Sequence, residues 1–393
     1  MRQTQVCVVG GGPAGLMLGL LLARQGVEVV VLEKHADFLR DFRGDTVHSS
    51  TLAFLEELGL DEQTAKLPGR RAGKLRMSFS DGTFTVADFT RLPGHYRYLM
   101  FVPQWDLLDL LAEEASRYPS FTLLRNTEMT GLRRDPDGTV TGVVTGAGEE
   151  ISARLTVACD GRFSTVRQEL GLQPQEFGAP MDVLWFRVPR EAVDGEGLEM
   201  HIGFGGLMIC IDRGDYYQCA FVIAKGGYDT VVAQGLEALK ERIARLAPAL
   251  RVDAISSWED VKLLTVRVNR LKQWYGPGYL LIGDAAHAMS PIGGVGINLA
   301  IQDAIATARI LGPALRSGAA LDPLAVVNRR LWPTVVTQAG QRLAQKRFVD
   351  PLLRAEGPVK APAILGLLSK VPEFQGLPAR LIGFGARPEH LRE

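Results

Sequence analysis

The feature that most constrains this chain is a glycine triplet, Gly10-x-Gly12-x-x-Gly15, lying between two apolar runs. Residues 5–9 are β-branched and apolar, and residues 14–25 have helical composition with small residues on one side. Residues 27–32 include Val29-Val30-Val31 without alternation, which predicts a strand covered on both faces. In a strand–turn–helix–strand unit Gly10 permits the tight turn, Gly12 lets backbone approach a pyrophosphate, and Gly15 lets the helix pack on the strand. Pro13 and Ala14 open the helix, whose free N–H groups and positive dipole end attract phosphate oxygens. Glu33 and Lys34 close the second strand, with Glu33 18 positions after Gly15 (33 minus 15), where a carboxylate can accept ribose hydroxyls. The unit predicts a dinucleotide site.

Two further segments narrow the choice of dinucleotide. One strand-like run ends in Asp160-Gly161 and continues as Arg162-Phe163-Ser164-Thr165-Val166-Arg167. Another ends in Gly283-Asp284 and passes His287 and the loop Pro291-Ile292-Gly293-Gly294-Val295 before entering a helix at Gly296-Ile297-Asn298. Together the three segments resemble the fingerprints of the FAD-dependent monooxygenases of the para-hydroxybenzoate hydroxylase and ubiquinone-biosynthesis hydroxylase type. The resemblance runs to about residue 310. It implies that Asp284 holds the flavin ribityl chain and that Pro291, Gly293, Gly294, Gly296, Ile297 and Asn298 approach the ring. It further implies that Asp160 and Gly161 serve FAD and NAD(P)H binding, that Arg43 lies near pyrophosphate and ring, and that Gln104 touches FAD. His287 is read as a loop-packing residue, and Arg167 stands between a functional role and a surface helix position.

The implied fold is α/β: a Rossmann-like FAD-binding domain with a β-meander, an inserted mainly β substrate domain and a C-terminal helical segment. The expected boundaries are 1–72, 99–178 and 269–318 for FAD, 73–98 and 179–268 for substrate, and 319–393 for the tail. The implied activity is NAD(P)H-dependent hydroxylation of an aromatic or polycyclic, polyketide-like molecule through a flavin C4a-hydroperoxide. FAD is expected to be non-covalent, with NADPH or NADH as transient co-substrate. Two alternatives keep parts of this reading: a flavin reductase or dehydrogenase without oxygen insertion, and a non-enzymatic prenyl-binding carrier. No Trp-x-Trp-x-Ile-Pro segment of the related halogenases occurs.

Charge excludes one class. Lys+Arg and Asp+Glu each number 44, so the chain lacks the basic excess of a nucleic-acid binder. The four cysteines form no CxxC pair and point to neither zinc nor a redox dithiol. The apolar N-terminal stretch is interrupted by glycines and proline, unlike a signal peptide, and no run is long enough to span a membrane. A cytoplasmic monomer or homodimer is the expectation, with a small aromatic molecule and O2 as its partners.

The substrate side is thinly marked. His48, His95, Tyr96, His201, Tyr216 and Tyr217 are candidates to hold or deprotonate a phenol, and Arg43, His48 and Tyr217 are the candidate catalytic residues. The glycines of 203–206 and Met208 suggest a roomy apolar wall.

Overall fold

The computed structural model describes residues 1–39, 46–191 and 197–391. The strand Arg2–Val9, the helix Pro13–Arg24 and the strand Val29–Leu32 form the predicted opening unit. Arg2–Val9 pairs in parallel with both Val29–Leu32 and Glu150–Ala158. Phe121–Leu124 and Tyr279–Leu281 extend the parallel sheet on either side. Val6, Cys7, Val8 and the four residues of Val29–Leu32 are all buried, as a sheet covered on both faces requires. Met129–Arg134, Val140–Thr145 and Glu150–Ala158 run antiparallel as the predicted meander.

A second sheet of seven strands stands apart from the first. Its order is Lys262–Leu264, Met181–Pro189, Tyr216–Ala224, Gly206–Asp212, Leu198–Gly203, Lys74–Phe79 and Gly82–Asp88. The parallel pairing of residues 198–201 with 75–78 joins the early hairpin to the later block. The two faces of this sheet bury different clusters. Leu184, Phe186, Met208, Cys210 and Phe221 pack under the helix Leu236–Leu246, while Val183, Trp185, Leu207, Ile211 and Val222 face the nucleotide side.

Two C-terminal helices carry a proline in their interior. The helix Gly296–Ser317 runs through Pro313, and Gly318 ends it in the left-handed region at φ 77°. The helix Pro323–Ala344 likewise passes Pro333. In both, the proline sits inside a helix whose buried face anchors it, and Thr337 Oγ1 donates to the Pro333 carbonyl at 2.7 Å. The tail is pinned from the far end. Glu389, 1% exposed, meets Arg329 at 2.7 Å, Arg309 at 2.8 Å and Arg330 at 3.0 Å. Arg330 continues to Asp303 at 2.9 Å, and Asp303 to His287 at 2.6 Å and to the Gly283 N–H at 3.0 Å. No helix among the described residues is long and apolar enough to cross a membrane.

Candidate active site

One cavity of about 740 Å³ lies between the parallel sheet and the seven-stranded sheet. Two helix N-termini open on it. Gly12, Pro13 and Ala14 line it at the start of Pro13–Arg24, and Gly296 and Ile297 at the start of Gly296–Ser317. Neither helix has a side-chain cap, so their first N–H groups are left to a ligand.

The glycine turn is held by close approach. A Cβ at Gly15 would overlap the Gly10 carbonyl oxygen, whereas one at Gly12 would meet nothing within 4 Å. Packing thus requires Gly15, whereas Gly12 faces open space on the cavity. Glu33, 7% exposed, is fixed by N–H groups of Gly11 at 3.2 Å and His35 at 3.0 Å. Lys34 lines the rim beside it.

The Asp-Gly and Gly-Asp segments meet across the cavity floor. Asp160 accepts from the Val166 N–H at 3.1 Å and leaves its other carboxylate oxygen buried without a partner. Burial raises its pKa, against the pull of Ser164 and the neighbouring backbone N–H groups. Arg162 Nε donates to Asp284 Oδ2 at 2.8 Å, a pairing the sequence reading missed although Arg162 stands inside the motif. Arg167 is buried, not on a surface helix face. Its Nη1 donates to the Ala285 carbonyl at 3.0 Å and its Nη2 to the Arg162 carbonyl at 2.5 Å, stitching the two segments together.

The loop after Asp284 brings Pro291, Gly293 and Gly294 to the cavity. Gly293 and Gly294 have φ of 78° and 63°, conformations that side-chain-bearing residues rarely adopt. Behind them Asn298 Oδ1 accepts from Thr51 Oγ1 at 2.5 Å and from the His48 N–H at 3.3 Å. His48 Nδ1 lies 2.7 Å from the Ile382 carbonyl. Burial lowers the His48 pKa to about 4, with the Ile382, Gly293 and Gly294 backbone opposing, so the ring is neutral.

The cavity gathers Gly10, Gly12, Pro13, Ala14, Glu33, Lys34, Gln104, Asp160, Gly161, Asp284, Pro291, Gly293, Gly294, Gly296 and Ile297. Gly15, Gly283 and Asn298 stand behind this lining as packing and loop-holding residues. Arg43 lies outside the described residues. His48 is buried behind the glycine loop and off the lining. His287 is 1% exposed and tied to Asp303, away from the cavity.

Strand alternation corrects the substrate-side candidates. Gln218, Ala220 and Val222 line the cavity, so Tyr217 points to the opposite face, where it packs with Leu184, Phe186 and Cys219. Met208 is turned away for the same reason, and Leu207, Ile209 and Ile211 form the wall in its place. The glycines of 203–206 make the far turn, where Gly203 lies near Leu246 and Val359. The tail also reaches the site: Phe348, Val349 and Ile382 line it, unforeseen because no local motif marks a helical tail for the place where it docks.

The model of the FAD binding domain family matches residues 3–329. The 6-methylpretetramide 4-monooxygenase of Streptomyces rimosus is 34% identical over 99% of this chain and 94% of that protein. This chain is an FAD-dependent monooxygenase. The 12-dehydrotetracycline 5-monooxygenase/anhydrotetracycline 6-monooxygenase of Streptomyces rimosus subsp. rimosus is 30% identical over 90% of this monooxygenase and 71% of its own length. The solved structure of OxyS anhydrotetracycline hydroxylase from Streptomyces rimosus superposes with a TM-score of 0.74 at 26% identity, covering 100% of this monooxygenase and 78% of that chain. FAD is the cofactor, and the open Gly12 face, the uncapped helix starts and the buried unpartnered Asp160 oxygen fit it. The Rossmann-like α/β fold is that of the family, as the three motifs imply.

Proposed function

We propose that this monooxygenase uses NADPH or NADH and O2 to hydroxylate a polycyclic aromatic molecule. The observation that carries the reading is the two-sided cavity: polar and backbone-rich below, almost wholly apolar on the seven-stranded sheet above. The relatives named for tetracycline-type substrates support the polycyclic class. Bound FAD supplies electron transfer and oxygen activation.

The chain's own residues position the cofactor and dry the site. The helix start at Pro13 and Ala14, with Gly10 and Gly12, holds the pyrophosphate, and Gly15 keeps that helix seated. Glu33 accepts ribose hydroxyls, and Asp284 the ribityl hydroxyls. Arg162 offsets the Asp284 charge, which reduces its repulsion of the phosphates. The Gly293–Gly294 backbone and the start of the Gly296 helix would hold the ring, and the positive end of that helix would favour negative charge there. Attachment is proposed to be non-covalent, as the motifs imply, and acid precipitation should release all the flavin. The apolar sheet face excludes water from the reacting edge.

The test is oxygen uptake and NAD(P)H consumption by the FAD-loaded protein across polycyclic aromatics and simple phenols. Polycycles should stimulate both and yield product carrying one added hydroxyl. Stimulation by simple phenols alone would move the substrate class, and a reduced product without oxygen would favour the reductase alternative.

A further inference from the structure

We propose that Glu389 is a positioning residue for the flavin, acting through Arg330 and Asp303 on the turn of residues 283–287 that carries Asp284. This rests on the reading of Asp284 as the group that holds the ribityl chain, and extends the cofactor site to the tail.

Asp303 clamps both ends of that turn. Its Oδ2 accepts from the Gly283 N–H at 3.0 Å and lies 2.6 Å from His287 Nε2. Its Oδ1 accepts from Arg330 Nε at 2.9 Å. Asp284 stands between the two anchored residues and lines the cavity. The turn has little room to move while it is clamped. A Cβ at Gly283 would lie 3.2 Å from Ala300 and 3.5 Å from Ala14, one on each of the helices that open on the cavity.

The far side of the clamp is held by the tail. Arg330 Nη1 donates to Glu389 Oε1 at 3.0 Å and to the Arg387 carbonyl at 3.2 Å. Arg329 Nε donates to the same Oε1 at 2.7 Å, and Arg309 lies 2.8 Å from Oε2. The Glu389 N–H donates to Gln302, the neighbour of Asp303 on the helix Gly296–Ser317. Three arginines thus converge on one buried carboxylate. Neutralising it leaves three cations crowded together and Arg330 without the partner that sets its direction, so Asp303 loses its support. A buried ion-pair network adds little net stability over apolar packing of the same shape, but it fixes one arrangement. Here the arrangement ends on the Gly283 N–H, beside Asp284.

The experiment is FAD titration and thermal unfolding of flavin-free wild type, Glu389→Gln, Arg329→Gln and Asp284→Asn. Arg329→Gln breaks a tail ion pair that bypasses Asp303. It should lower the melting temperature and leave FAD affinity at the wild-type value. Glu389→Gln should bind FAD roughly ten-fold more weakly, the upper range for a residue that acts through a network. Wild-type affinity in Glu389→Gln with a loss in Asp284→Asn overturns the relay alone. Wild-type affinity in Asp284→Asn overturns the reading of that motif and the relay with it. Equal losses of affinity in Glu389→Gln and Arg329→Gln reduce Glu389 to a general stabiliser and also overturn the proposal. A second measurement needs no variant to fold. Coupling is reciprocal, so FAD added to wild type should slow hydrogen exchange at the Glu389 and Leu391 N–H groups of the tail, bonded to Gln302 and Glu57. Exchange there that FAD leaves unchanged overturns the proposal.

Discussion

The two walls of the cavity are built on different principles. On the nucleotide side, function lies in backbone: glycines without side chains, helix starts without caps and carboxylates held by N–H groups. On the sheet side it lies in side-chain surface, delivered by alternation along strands. The first kind of wall tolerates almost no change of residue type at its close contacts. The second accepts apolar exchange and so can be fitted to a particular substrate while the cofactor site stays the same.

The largest effect that would break this comparison concerns two glycines of one motif. Gly15→Ala should cost more than about 4 kcal/mol or prevent folding, because its Cβ overlaps backbone. Gly12→Ala should leave the melting temperature of the flavin-free protein nearly unchanged yet weaken FAD binding roughly ten-fold or more. Thermal unfolding and FAD titration of both variants decide it. Equal losses of stability would mean that Gly12 also serves packing.

Met208 and Ile209 make the matching test on the sheet. Met208→Ala should cost about 2–5 kcal/mol in thermal unfolding and leave ligand affinity alone. Ile209→Ala, on the cavity face, should cost less stability and shift polycycle affinity several-fold. The reverse pattern would mean that the faces are exchanged.

A third effect concerns His48, buried behind the glycine loop. Its folded pKa is about 4 against 6.5 for the free group, so the unfolded chain takes up the proton first as pH falls. Stability is therefore complete above about pH 6.5 and declines towards pH 4, by about 3 kcal/mol from 1.36 kcal/mol per unit. His48→Gln should flatten that part of the pH–melting curve, and an unchanged slope would assign it to other groups. Smallest, Glu33→Ala should weaken FAD binding by about 1.5–3 kcal/mol in titration, the worth of a hydrogen bond to a charged group. Full FAD affinity would remove Glu33 from the site.

The nucleotide wall was legible because its requirements are local. Gly10 to Gly15, Asp160-Gly161 and Gly283-Asp284 each act within a few residues of chain, and the cavity gathers most of the residues those segments named. The substrate wall was not legible from single residues. Tyr217 stands out by its hydroxyl and Met208 by its apolar bulk, but a one-residue shift along a strand reverses the face, and the face follows from pairing between distant segments. Counting alternation through residues 181–185, 207–211 and 218–222 would have recovered the wall. The tail could not be placed that way, since Glu389, Ile382 and Phe348 are positioned by tertiary ion pairs and packing.

If one cavity serves FAD on its backbone wall and a polycyclic substrate on its apolar wall, oxygen from O2 ends in the polycycle. Incubating the FAD-loaded protein with NAD(P)H, a stimulating polycycle and 18O2 tests it most directly, with the product read by mass spectrometry. One 18O atom is expected in each hydroxylated product molecule. NAD(P)H oxidation with no label in any polycyclic product would contradict it.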